Sequence, residues 1–375
     1  MDIFNTISKK IGGIFIGKSR DSVFGVDVGG SAIKVVQIKK KGGKAVLETY
    51  GSVALGPYGE EKKDVGQAIH LPKEALLKAF IDVIRESNVT TTNAIMAIPA
   101  AAALVFVIDL PPAVDQKNLA GVIPTEARRY IPVPISEVKL DWWPIPNVDV
   151  RGPENENATP NAPVKTEVLV AAVRNETISD FQELIREAGL SMDAMEIEFF
   201  SSIRSGAARD LRTVAFLDLG ASHTKLMILD HSVVRDVHVI NRGGQDITKS
   251  LATSFSIPFA EAESIKRKNG ITDVALPEYK EHIHESLDFI LSDIKNMITQ
   301  YEQKHKSSID HMIISGGGAM LPGLIDYMKT SLQFDITFAD PFSNLEAPAF
   351  LSEVLKESGP EFAVAIGLAL KGLNE

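Results

Sequence analysis

The chain has 375 residues, 45% hydrophobic and 23% charged, with a formal net charge of −10 and no cysteine. That length supports two large lobes of roughly 150 to 200 residues each, and the acidic balance argues against nucleic acid as the main partner, since no basic face stands ready to release counterions from phosphates. The missing cysteines exclude disulfides, thiolate zinc sites and cysteine nucleophiles together, and no apolar run approaches the roughly 20 residues that span a bilayer.

The first twenty residues place Ile3, Phe4, Ile7, Ile11, Ile14 and Phe15 at helical spacing, with Lys9, Lys10, Lys18 and Arg20 around them. Such a stretch suits an anionic membrane surface, a partner's groove or a loose arm, and Gly12 and Gly13 weaken any helix there. Phe24 to Ile38 reads as strand, Gly-Gly-Ser turn, strand, the grammar of a hairpin. Gly29 and Gly30 let backbone N–H groups close around an anion such as a phosphate, while Ser31 adds a hydroxyl and Lys34 a charge. Asp27 stands at the lip, where a Mg²⁺ accompanying that phosphate needs an oxygen. An ordinary tight turn is spelled the same way.

Ala45 to Val53 reads as a third strand. Pro72, Glu74 and the spacing Leu76, Leu77, Phe80, Ile81, Ile84 mark a helix, and Ala94 to Ile98 a fourth strand. This is the ribonuclease-H-like order. From Pro99 the pattern changes to strand Ala102 to Leu110, helix Asp115 to Tyr130, strand Val138 to Trp143, a Pro- and Asn-rich loop Pro144 to Val164, strand Glu167 to Val173 and helix Glu176 to Ala188, capped by Gly189. At about 90 residues this block exceeds a loop and reads as an inserted α+β subdomain.

Ala215 to Leu229 then repeats the first hairpin, with Asp218 on Asp27, Ser222 on Ser31 and Lys225 on Lys34. Two such hairpins facing across a cleft grip a phosphate chain from both sides, their carboxylates bracketing one metal. Helices over Asp246 to Phe255 and Phe259 to Lys268 follow, then a long one after Pro277 whose stripe of Ile283, Leu287, Ile290, Ile294, Met297 or Ile298, and Tyr301 reads as core. The strand His311 to Ser315 runs into Gly316, Gly317 and Gly318 and a helix-like AMLPGLIDYMKTSL, an arrangement that lets a nucleotide approach the backbone. Pro360 to Leu373 reads as a buried helix begun on a proline, with Gly367 permitting close backbone approach.

Asp-Gly hairpin, Asp-Gly hairpin and strand-Gly-Gly-Gly-helix, in that order, resemble the actin, sugar-kinase and DnaK-type chaperone superfamily. The order of sites, the insertion and the short C-terminus are similar to the PilM family, actin-like cytoplasmic proteins of type IV pilus inner-membrane complexes, over about residues 21–373. The inserted block resembles the SHS2-type subdomain shared with the cell-division protein FtsA. FtsA ends in a linker and a membrane-binding amphipathic helix, whereas this chain stops at Glu375.

The resemblance implies an α/β, actin-like ATPase fold with two ribonuclease-H-like lobes around a nucleotide cleft. Its parts are an arm over 1–20, a first lobe over 21–99 continued by 191–212 and 344–375, the insert over 100–190, and a second lobe over 213–343 with a helical subdomain at 241–309. It implies ATP with Mg²⁺, held by Asp27, Gly29, Gly30, Ser31 and Lys34 at the first phosphate loop, by Asp218, Gly220, Ala221 and Ser222 at the second, and by Gly316, Gly317 and Gly318 at the adenosine loop. Asp27 and Asp218 are the metal candidates. The segment AESIKR resembles a chaperone-type ribose motif, giving Glu263 and Lys266 the sugar hydroxyls; the plain alternative is an exposed helix pair.

Relatives carry a Gln or Glu between the lobes to orient the attacking water, and Glu198 fits best here, although the family's Glu-Pro is Glu198-Phe199 in this chain. No Asp stands in a sugar-kinase base motif. The expectation is nucleotide binding with at most slow hydrolysis, used as a conformational switch. The implied partner is the cytoplasmic tail of a bitopic membrane protein, PilN in the family, held in a groove by the insert and its neighbouring lobe. That makes the chain a cytoplasmic adaptor peripheral to the inner membrane. The alternatives are an FtsA-like filament, expected to polymerise with ATP, and a sugar-kinase-like phosphotransferase, expected to release ADP on substrate.

Overall fold

β-Branched runs broken by glycine turns build two five-stranded sheets and one three-stranded sheet. The computed structural model describes residues 21–60, 63–111, 118–146, 166–207 and 210–374. The N-terminal arm and most of the 144–164 loop lie outside the described residues.

The first sheet contains β1 (Ser22–Val28), β2 (Ala32–Lys41), β3 (Lys44–Ala54), β4 (Asn93–Ile98) and β8 (Ser191–Ile197), in the order β3-β2-β1-β4-β8. Its first three strands are antiparallel, and β4 and β8 join in parallel. Helix α1 (Lys73–Glu86) precedes β4 and buries Ala79, Phe80 and Val83. The third sheet contains β9 (Val214–Leu219), β10 (Thr224–Asp230), β11 (Val233–Ile240), β12 (His311–Ser315) and β13 (Ile336–Phe338), in the order β11-β10-β9-β12-β13. Three antiparallel strands followed by two parallel ones recur here, so the sequence repeat is also a repeat of topology.

Between β4 and β8 stands an antiparallel sheet of β5 (Ala103–Leu110), β6 (Val138–Pro144) and β7 (Thr166–Arg174), with β7 central. Helix α2 (Leu119–Ala127) packs on one face through Leu119, Ile123 and Ala127, and α3 (Asn175–Glu187) follows β7. The other face joins both lobes. Trp143, Ile145 and Leu169 share one buried cluster with Phe199 and Phe200 on the first side and Val233 and Val234 on the second.

The later helices are α4 (Glu198–Gly206), α5 (Gly244–Phe255), α6 (Phe259–Asn269), α7 (Pro277–His305), α8 (Leu324–Leu332) and α9 (Ser352–Asn374). The expected stripe on α7 is buried, with Ile298 rather than Met297 in it and Leu291 added. Helix α9 lies over the first sheet and crosses α4 at Gly367, where a Cβ would stand 1.8 Å from Ser201 O. No side chain fits there. An ionic anchor locks the crossing: Arg204 Nη1 and Nη2 donate to the two oxygens of Glu196 at 2.6 and 2.7 Å, and Lys371 Nζ lies 3.2 Å from Glu196 Oε1. Burial alone would raise Glu196, but Arg204 and Lys371 bring it down to about 2.

Three local expectations differ from the structure. Helix α9 begins at Ser352 and runs through Pro360, whose carbonyl accepts from Gly316 N at 2.9 Å and Ser315 Oγ at 3.0 Å. Residues after the triple glycine first form a short 3-10 turn over Gly317–Met320, and α8 starts only after Gly323, whose φ is 84°. The stretch 191–212 is assigned to the first lobe without a strand being named in it; β8 stands there and pairs with β4 as the parallel edge of the first sheet.

Candidate functional site

In the first hairpin, Asp27 pairs across the strands with Lys34, and Gly29 N donates to Ala32 O at 3.0 Å, leaving Gly30 and Ser31 as the loop. In the second, Asp218 pairs with Lys225, and Gly220 N donates to His223 O at 2.9 Å, leaving Ala221 and Ser222. The registers are identical. The loops face each other: a Cβ on Gly30 would stand 2.7 Å from Ser222 Oγ.

The two lysines differ. Lys225 is buried, with Nζ donating to Asp218 Oδ2 at 2.9 Å and to Glu198 Oε2 at 2.7 Å. Burial alone would push its ammonium down; the two carboxylates outweigh it and hold the group well above the ordinary lysine range. Asp27 is 7% exposed, and no hydrogen-bond donor among the described residues reaches its carboxylate. Burial pushes it up to about 6; Lys34 and Lys225 oppose the rise, and Glu198 and Asp218 add to it. Asp218 is thus ion-paired with Lys225, whereas no described cation forms an ion pair with Asp27.

The donor set fits magnesium accompanying a phosphate. Mg²⁺ typically takes one or two carboxylates and completes its shell with phosphate and water, and no cluster of three or more acidic or histidine ligands exists among the described residues to form an all-protein cage.

Gly316 follows β12 with φ of 86°, a conformation that favours glycine. A Cβ there would meet Asp218 Oδ1 at 2.3 Å, and one on Gly318 would meet Leu219 O at 2.9 Å, so the triple glycine lies directly against the end of β9. The start of α5 sits on the second loop, with Gly244 N donating to Gly220 O and Gln245 N to Ala221 O, both at 2.9 Å. Behind it, Lys266 Nζ bonds Gly244 O at 2.9 Å, Thr248 Oγ1 at 2.8 Å and Glu263 Oε2 at 2.7 Å, and Arg267 Nε donates to Glu263 Oε1 at 2.6 Å. Burial would raise Glu263, but Lys266, Thr248 and Arg267 hold it below the usual carboxylate range.

Two contacts cross the cleft mouth. Ala68 N donates to Gln245 Oε1 at 3.1 Å, and a Cβ on Gly66 would meet Glu263 Oε1 at 2.7 Å. Enclosed is a cavity of about 790 Å³. It brings together Asp27, Gly29, Gly30, Ser31, Lys34, Glu198, Asp218, Gly220, Ala221, Ser222, Glu263, Lys266, Gly316, Gly317 and Gly318, the whole set singled out in the sequence. Both oxygens of Glu198 are engaged, Oε1 accepting from Ala100 N at 2.6 Å and Oε2 from Lys225. Lys225, Gln245 and Arg267 were missed as lining residues; Lys225 alone had a signal, its place opposite Lys34 in the repeat.

The family model described as type IV pilus assembly protein PilM matches residues 25–373. The chain belongs to the PilM family of type IV pilus assembly proteins. A solved PilM-PilN type IV pilus biogenesis complex aligns with 95% of this chain and 99% of the other, at 27% identity and a TM-score of 0.78. MreB5 of Spiroplasma citri, solved bound to AMPPNP, shares the fold at 11% identity and a TM-score of 0.50, over 94% of this chain and 96% of that one. The cell-division protein FtsA of Neisseria meningitidis is 22% identical over 318 residues, 76% of this chain and 67% of that protein. This PilM-family fold is therefore actin-like, with its cleft between the repeated halves. No described helix is long and apolar enough to cross a membrane.

Proposed function

We propose that the chain is an ATP-binding cytoplasmic adaptor of the type IV pilus inner-membrane assembly, holding the cytoplasmic tail of a PilN-like bitopic partner. One observation carries the reading: the likeness to the PilM-PilN complex extends over 95% of the chain. The tail's place is the seam between insert and first lobe. A groove of about 400 Å³ lies there, lined by the apolar Ile81, Ile84, Val89 and, after α3, Ala188, and by the polar Arg85, Asn88 and Thr90; Ile81 is 42% exposed. A short extended or helical segment would set its apolar side chains into it.

ATP would sit with its phosphates on the N–H groups of the two loops, near Lys34, with the adenosine along the triple glycine and Glu263 and Lys266 toward the sugar. Mg²⁺ would neutralise phosphate charge at Asp27, with Asp218 on the opposite wall. The bound nucleotide of the MreB5 relative supports the nucleotide class. With Glu198 tied at both oxygens, its part in orienting a water supports slow turnover at most.

Glu198 also opens α4, whose Phe200 ring meets Trp143 of the insert edge-on at 4.9 Å. Lobe closure around nucleotide would move that contact and so alter the partner groove, a population shift driven by ligand contacts to both loops. The test is a pull-down on the partner's immobilised cytoplasmic tail. Wild type is retained at roughly tens of micromolar, and Ile81→Glu, an exposed substitution, abolishes retention; no retention of wild type, or equal retention of the variant, rejects the reading.

A further inference from the structure

Most of the cationic side chains that line the cleft are already paired. Lys225 is held by Asp218 and Glu198, and Lys266 and Arg267 are held by Glu263. The imidazole of His223, which lines the cleft from the second loop, is held by no carboxylate. Its ring makes one hydrogen bond among the described residues, Nδ1 lying 2.9 Å from Ser222 Oγ, and Nε2 makes none.

The local fold directs this ring into the cleft. Gly220 N donates to His223 O at 2.9 Å, which fixes the loop behind it. The next residue, Thr224, is fully buried, opens β10 and donates through Oγ1 to Arg242 O at 2.8 Å. Side chains along a strand alternate between its faces. Leu226 and Ile228 go with Thr224 into the second lobe's own core, whereas Met227 and Leu229 belong to the cluster that joins the lobes. His223 therefore shares the inter-lobe face with Lys225. Burial and the neighbouring Lys225 ammonium lower the imidazole below its ordinary range, with Glu198 and Asp246 opposing. The ring is neutral at neutral pH and has one N–H to offer.

The same neighbours mark which phosphate it meets. Glu198 is the candidate for orienting a water toward the terminal phosphorus, and His223 lies within the field of Glu198 and Lys225, while the triple glycine and Glu263 mark the adenosine end. Building on the nucleotide reading above, we propose that His223 selects a nucleoside triphosphate over a diphosphate: Nε2–H donates to the terminal phosphate, and the Ser222 hydroxyl, donating to Nδ1, is the positioning group that fixes this tautomer. Lys34 attracts every phosphate by charge. A neutral donor instead favours the one phosphate it touches. If Ser222 and His223 only closed the loop, both nucleotides would suffer alike from its loss.

The test is isothermal titration of ATP and of ADP, each with Mg²⁺, into wild type, His223→Ala, His223→Gln and Ser222→Ala. Hydrogen bonds to charged groups are among the stronger ones, so His223→Ala lowers the ATP affinity about ten-fold or more relative to the ADP affinity. His223→Gln, which keeps an N–H at similar reach, retains part of the preference, and Ser222→Ala loses part of it. A thermal midpoint near that of wild type shows that each variant is folded. Equal losses for ATP and ADP in His223→Ala, or an unchanged ATP affinity, overturn the role of His223 and leave the nucleotide reading standing. A wild type that binds neither nucleotide overturns both.

Discussion

Replacing Lys225 with Met removes the one cation that lies between Asp218 and Glu198. The Lys225, Asp218 and Glu198 side chains are 10%, 8% and 10% exposed, and the contacts are 2.9 and 2.7 Å. Methionine fills nearly the same volume, so the cavity contribution is small and the loss is electrostatic. Breaking a buried pair from one side costs about 3–5 kcal/mol, and two carboxylates lose their partner here, which places Lys225→Met toward the upper figure. At roughly 2–4 °C per kcal/mol, the thermal midpoint falls by about 10 °C or more. The pH dependence distinguishes this cause from packing. In the variant, uncompensated buried carboxylates hold protons more tightly when folded than when unfolded, so the penalty is full at neutral pH and shrinks as pH falls toward the ordinary carboxylate range. Differential scanning fluorimetry without nucleotide at neutral and mildly acid pH measures both. A midpoint within about 1 °C of wild type, or a penalty that grows on acidification, would refute the electrostatic account of the cleft.

Asp27→Asn without nucleotide should stabilise the protein at neutral pH. The folded carboxyl sits at about 6 against 3.8 for the free side chain, so the folded state binds more protons between those values, and wild-type stability falls as pH rises through that window. The substitution removes up to about 3 kcal/mol of that cost, a gain that disappears below the window; a neutral-pH midpoint below wild type contradicts it. Gly367→Val forces α4 and α9 apart at the Ser201 carbonyl. Overpacking of this kind costs typically about 1–3 kcal/mol and more where backbone cannot move, and urea unfolding monitored by circular dichroism should show a lower midpoint, with an unchanged one counting against the crossing.

Much of this was legible because the chain spells its functional turns twice. An apolar run, an Asp, a glycine and a Ser and Lys at fixed offsets recur at Asp27 and Asp218, and the equal registers Asp27–Lys34 and Asp218–Lys225 follow from that spacing. Less legible were contacts made only when distant segments meet. Nothing near Lys225 in sequence announces that it will hold Glu198, 27 positions away, and Gln245 reaches Ala68 from 177 positions off. Strand β8 merges into α4 with no turn residue between Ile197 and Glu198, so periodicity alone gave no boundary. The start of α9 was obscured for the opposite reason: Pro360 looks like a helix start, yet its ring is accommodated inside a helix that ties its carbonyl to the triple glycine.

In the proposed site the paired loops close on a nucleotide whose metal is held by the Asp27 carboxylate, which no donor among the described residues reaches. Isothermal titration of ATP into wild type and Asp27→Ala, each with and without Mg²⁺, tests it most directly. Wild type should bind more tightly with Mg²⁺ than without, and Asp27→Ala should lose that difference while remaining folded; equal Mg²⁺-dependent affinity in both proteins would contradict the claim.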